Sequence, residues 1–124
     1  MLTFEQTNIL GQILTDKSAP GQGNIASITS HLQGDTLILT YQTIVNFASE
    51  RSLRLQTDKL AYESSQILKK KVSNIKKLFS ESSDDPLSLK EEGATDDVEL
   101  IQATSISPLK VGYYRRKVRF RIEN

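Results

Sequence analysis

The 124-residue sequence predicts a single α+β domain: a mainly antiparallel four-stranded sheet in two hairpins, packed on one long central helix and preceded by a short N-terminal helix. Three patterns predict it. Residues 49–80 form the one long run without Gly or Pro, and their apolar positions recur at three- and four-residue steps. Residues 25–47, 98–106 and 111–122 alternate instead with a period of two, the spacing of a half-buried strand. Between two such runs stands Gly34-Asp35, which fits a two-residue type II′ hairpin loop with Gly first.

Residues 3–15 place Phe4, Ile9, Ile13 and Leu14, with Leu10 near them, on one side of a helix weakened by Gly11. KSAPGQGN, residues 17–24, is a turn-rich connector. The Gly34-Asp35 turn then sets a register, opposing Leu32 to Leu37, Ser30 to Leu39, Ile28 to Tyr41 and Ala26 to Thr43. On the other face it opposes Gln33 to Thr36, His31 to Ile38, Thr29 to Thr40 and Ser27 to Gln42. Apolar side meets apolar side, so turn chemistry and binary pattern agree.

In the long run, Ser49 is placed to cap a helix and Glu50 to complement its positive end, while Lys69, Lys70, Lys71, Lys76 and Lys77 lie toward the negative end. The stripe is Ala61, Ser65, Leu68, Val72, Ile75 and Phe79, joined by Leu53, Leu60 and Ile67. Residues 49–80 would span about 48 Å, against about 33 Å for a ten-residue strand, so the helix is expected to overrun its sheet and offer Leu53, Leu55 or Phe79 to a partner.

ESSDDPLSLKEEGATDD reads as a polar connector, with Leu87 and Leu89 as the start of a strand. Val98, Leu100, Gln102, Thr104 and Ile106 mark one face of the third main strand, and Ser107-Pro108-Leu109-Lys110 a turn. In the last strand Tyr114, Val118, Phe120 and Ile122 share a face with Arg116 as the exception. Tyr113, Arg115, Lys117, Arg119 and Arg121 take the opposite face. The patterns leave strand order open.

Sixteen basic and fifteen acidic residues leave a net charge of +1, so no global field draws in nucleic acid or membrane. The absence of Cys excludes disulfides, thiol catalysis and thiolate zinc sites. No apolar run approaches the roughly 20 residues of a membrane span, and the N-terminus lacks the pattern of a signal peptide. A virion or cytoplasmic protein, without membrane attachment, is therefore expected.

No catalytic, metal or cofactor site is expected either. His31 is the only histidine and has no carboxylate near it in sequence. Asp84, Asp85, Glu91, Glu92, Asp96, Asp97 and Glu99 lack the spacing of a calcium loop and read as a solvated acidic loop. Gly21-Gln22-Gly23 has neither the third Gly of a dinucleotide turn nor a following Gly-Lys-Ser/Thr.

The feature with functional content is the basic face of the last strand. Arg115, Lys117, Arg119 and Arg121 recur about 6.6 Å apart, with Tyr113 extending the row. Such a ladder suits an acidic protein surface, a nucleic-acid backbone, or solvent alone, and the acidic segment from Glu81 to Glu99 could neutralise it within one subunit or in a neighbour. With net charge near zero, the expected function is that of a non-enzymatic structural or assembly protein binding other proteins or copies of itself, such as a small virion component of tail, neck, baseplate or capsid. The alternative is a nucleic-acid-binding module using the C-terminal strand.

Overall fold

These patterns resolve into two helices and four strands in a computed structural model that describes residues 2–15, 26–103 and 109–123. The order is α1 (Phe4–Thr15), β1 (Ser27–Gln33), β2 (Thr36–Phe47), α2 (Glu50–Ser82), β3 (Ser88–Ala103) and β4 (Lys110–Glu123). The sheet is antiparallel throughout, in the order β1-β2-β4-β3. The two hairpins are thus joined through their second strands. β2 and β4 take the centre because their inward positions are the most apolar: Leu37, Leu39, Tyr41, Val45 and Phe47 on one, Tyr114, Val118 and Ile122 on the other, all buried.

The first hairpin has the expected register from Ser27–Gln42 to Gln33–Thr36, while Ala26 precedes the ladder and makes no pair with Thr43. Gly34 has φ +60, and Asp35 has no positive φ, which is the type II′ turn. The turn is tied down by two further bonds. Its Asp35 carbonyl accepts from the Ile122 amide at 2.8 Å, and the Asp35 carboxylate accepts from the Leu2 amide at 3.3 Å. Thr3 and Gln6 then close a reciprocal cap on α1, each side chain accepting from the other's backbone amide.

Ser49 caps α2 as expected, through a capping box with Ser52. Leu68, Ile75 and Phe79 of the stripe are buried, and so is Ser64, whose hydroxyl is satisfied by the Ala61 carbonyl. At 33 residues α2 is about 50 Å long, against about 40 Å for the 12 residues of β2. α1 packs against α2 and β1 and lies beside the far end of α2, where Ile13 and Leu78 line the same hollow. Phe79 is therefore fully buried in this chain's own core rather than offered to a partner, which corrects the expectation for that end; Leu55, near the other end, is exposed.

A second correction concerns residues 90–97. The segment expected to be a polar connector is the middle of a single 16-residue strand, β3. Two register shifts, at Glu91/Gly93 and Leu100/Gln102, explain why it does not read as one. Leu89 pairs with Ile122 and Val98 with Tyr114, both inward partners, yet the two positions are out of phase for an unbroken period of two. One extra residue at Glu92, with Gly93 at φ +142, restores the phase. The expected connector at 17–24 with its Gly21-Gln22-Gly23, the strand positions 104–106 and the first half of the 107–110 turn lie outside the described residues, and Lys110 opens β4.

Candidate functional site

β4 is a central strand, so each of its faces meets neighbours on both sides. The sequence-predicted residues Tyr113, Arg115, Lys117, Arg119 and Arg121 all take the face away from α2, opposite the buried Tyr114, Val118 and Ile122. Their cross-strand partners on β2 are Ile44, Gln42, Thr40, Ile38 and Thr36, and on β3 Glu99, Asp97, Thr95, Gly93 and Lys90.

That register divides the ladder. Arg115 donates from Nη1 to Glu99 Oε2 at 2.8 Å and from Nε to Gln42 Oε1 at 3.1 Å, and its guanidinium lies 5.9 Å from the centre of the Tyr113 ring. Arg121 Nε pairs with Glu92 Oε1 at 3.4 Å. Between them, Lys117 and Arg119 are exposed, and among the described residues neither has an ion pair. The cause is local: β3 sets the neutral Thr95 beside Lys117 and the side-chain-less Gly93 beside Arg119. The acidic segment neutralises the two ends of the ladder within the chain and leaves its middle open. His31 is exposed on the same face, across from Ile38.

The inward face of β4 holds a cluster that the sequence reading missed. Asp96 pairs with Arg116 across β3 and β4, Nη1 donating to both carboxylate oxygens at 2.9 Å, and the Tyr114 hydroxyl donates to Oδ1 at 2.7 Å. Burial, then the bond to Asp96, pushes the Tyr114 hydroxyl up to about 12, with Ser64 opposing. Desolvation pulls Arg116 down, but the bond and charge of Asp96 outweigh it and hold the guanidinium above its ordinary value. Arg116 Nε is buried and has no partner among the described residues. A signal for the pair was present in the sequence: Asp96 shares its parity with Val98 and Leu100, and Arg116 is the one charge among the inward positions between Gly112 and Ile122 of β4.

Each partner of the pair lines one of two hollows between α2 and the sheet, Asp96 the first and Arg116 the second. The first, about 380 Å³, is also lined by Leu53, Thr57, Val98 and Tyr114; the second, about 250 Å³, by Leu68, Val72, Val118 and Phe120. Chemically the cluster is a tie. Its carboxylate is occupied by two donors, and Tyr114 stays protonated at neutral pH, so neither is poised as a base or nucleophile. Among the described residues no group of three His, Cys, Asp or Glu side chains is placed to hold a metal, and no helix is long and apolar enough to cross a membrane. Comparison with protein-family models, curated proteins and solved structures finds no match.

Proposed function

We propose that the chain is a non-enzymatic structural or assembly protein that seats an acidic protein surface on the open face of its sheet, with Lys117 and Arg119 as the contacting cations. One observation carries this reading. The two ends of the ladder are neutralised internally by Glu99 and Glu92, while the adjacent middle cations are exposed and unpaired on a face that no described element covers. Two like charges about 6.6 Å apart repel within the roughly 8 Å screening length of physiological salt, and a carboxylate surface relieves that repulsion. The setting we propose is a small virion component of tail, neck, baseplate or capsid. The compact length, the absence of Cys and the segregation of charge support it. Nucleic acid fits less well: Glu99 is set into the ladder, and the Tyr113 ring that would stack on a base already has a guanidinium beside it.

The test titrates the full chain and the double variant Lys117→Ala/Arg119→Ala with a polyglutamate peptide and with generic single-stranded DNA and RNA, at low and physiological salt. Salt-dependent binding of the acidic peptide that the double variant loses is expected. Stronger binding of DNA or RNA, with a salt slope that flattens in the variant, transfers the face to nucleic acid. Binding of neither probe leaves it a solvated face.

A further inference from the structure

The sheet has two outer edges, and they are built differently. β3 carries Glu91, Glu92, Asp96, Asp97 and Glu99 and is interrupted by two bulges. Charge and irregularity are the devices that keep an exposed strand from pairing with another sheet. β1 has neither: Ser27–Gln33 contains no Asp, Glu, Lys, Arg, Pro or Gly, and its ladder with β2 is unbroken. Among the described residues no strand pairs with its outer side.

We propose that β1 pairs with β1 of a second copy, antiparallel about a two-fold axis at Ser30, so that one sheet runs continuously across both copies. The register follows from the turn. A two-residue loop makes Gln33 and Thr36 a hydrogen-bonded pair, and alternation then makes His31–Ile38, Thr29–Thr40 and Ser27–Gln42 bonded pairs as well. The backbone amides and carbonyls of Ile28, Ser30 and Leu32 accordingly point away from β2. Two such edges brought together about Ser30 exchange about six backbone hydrogen bonds.

The side chains agree with that register on both faces. On the inner face Ile28 meets Leu32 of the second copy, and Ile28 is 37% exposed in the single chain although it is an inward position. On the outer face Thr29 meets His31. No like charges are brought together, whereas β3 paired with itself would set carboxylates against carboxylates. A strand whose pattern complements itself under a two-fold axis needs no second kind of partner, and two-fold pairs are the commonest assemblies. The surface is two strands away from Lys117 and Arg119, so this inference stands apart from the proposed function.

Sedimentation equilibrium of the full chain over a micromolar concentration series tests it. A dimer with a dissociation constant on the order of micromolar is expected, because pairing through seven residues makes a small interface. Ser30→Pro removes an amide that the β1–β2 ladder does not use and should raise that constant by about tenfold or more. Thr29→Lys, on an exposed side chain, should weaken the dimer several-fold. Adding His31→Glu in the same chain should restore it, because the introduced lysine then faces the introduced glutamate of the other copy. Lys117→Ala/Arg119→Ala should leave it unchanged. A wild type that stays monomeric throughout overturns the proposal, as does a dimer indifferent to Thr29→Lys and, where circular dichroism shows the variant folded, to Ser30→Pro. Should Ser30→Pro unfold, the position 29 and 31 variants decide alone.

Discussion

Two ion pairs made by neighbouring arginines of β4 stand on opposite faces of one strand. Arg116 reaches inward to Asp96, and the two side chains are 16% and 39% exposed, whereas Arg115 reaches outward to Glu99, and theirs are 30% and 62% exposed. Their shortest contacts are nearly equal, at 2.9 and 2.8 Å. The difference lies in what surrounds them: the inner pair is the less exposed of the two and shares its carboxylate with Tyr114, while the outer pair competes more fully with solvent and salt. Contact length therefore says little about energetic worth here. Burial decides it, and it makes the inward face of β4 the one that carries stability.

The largest effect that can break this assignment is on the layer above the inward face. Leu68 is 2% exposed, and Leu68→Ala should cost about 2–5 kcal/mol in chemical denaturation, since the cavity under α2 cannot fill without moving the sheet. A cost under about 1 kcal/mol would mean that α2 is not seated on this face. Next come the two carboxylates. Asp96→Ala leaves Arg116 without its partner and should cost about 2–3 kcal/mol, below the 3–5 kcal/mol of a fully buried pair because Asp96 keeps some solvent. Glu99→Ala should cost under about 1 kcal/mol, and equal losses would erase the distinction.

Tyr114 sharpens the comparison through pH. Its folded value of about 12 exceeds the ordinary 10.0, so the contribution is fully present below pH 10 and is lost as pH rises toward 12, where the unfolded chain has released a proton that the folded chain retains. The loss across that window is on the order of 2 kcal/mol. Tyr114→Phe should cost about 1–2 kcal/mol at neutral pH and flatten the alkaline limb of the stability profile. The smallest effect is at Lys117: Lys117→Ala should stay within about 0.5 kcal/mol, while Val118→Ala one residue on should cost about 1–2 kcal/mol. That pair of measurements reads the two faces of the strand directly.

How much of this was legible in the sequence followed from how local each feature is. The β1–β2 register and the Ser49 cap depend on a turn and a few neighbouring residues, and the alternation of β4 placed Arg115 to Arg121 on one face without reference to any other strand. The middle of β3 was not legible, because the bulge at Glu92 sets its two apolar ends out of phase and a charged stretch between them imitates a loop. The division of the ladder was hidden for the same reason. Only the β3–β4 register shows that Thr95 and Gly93, rather than carboxylates, flank Lys117 and Arg119.

The seam between β2 and β4 has a consequence for how the chain folds. Each hairpin is closed within its own stretch of sequence, but the seam joins residues as distant as Thr36 and Arg121, with all of α2 between them. Closing that long loop costs entropy before any contact in the seam is gained. The hairpins and α2 can form early, and the docking of one hairpin on the other is left as the slow step. Substitutions in the seam, such as Leu39→Ala or Val118→Ala, should then slow refolding more than substitutions in the β1–β2 turn that cause the same loss of stability. The chain behaves kinetically as two halves whose central strands must find each other.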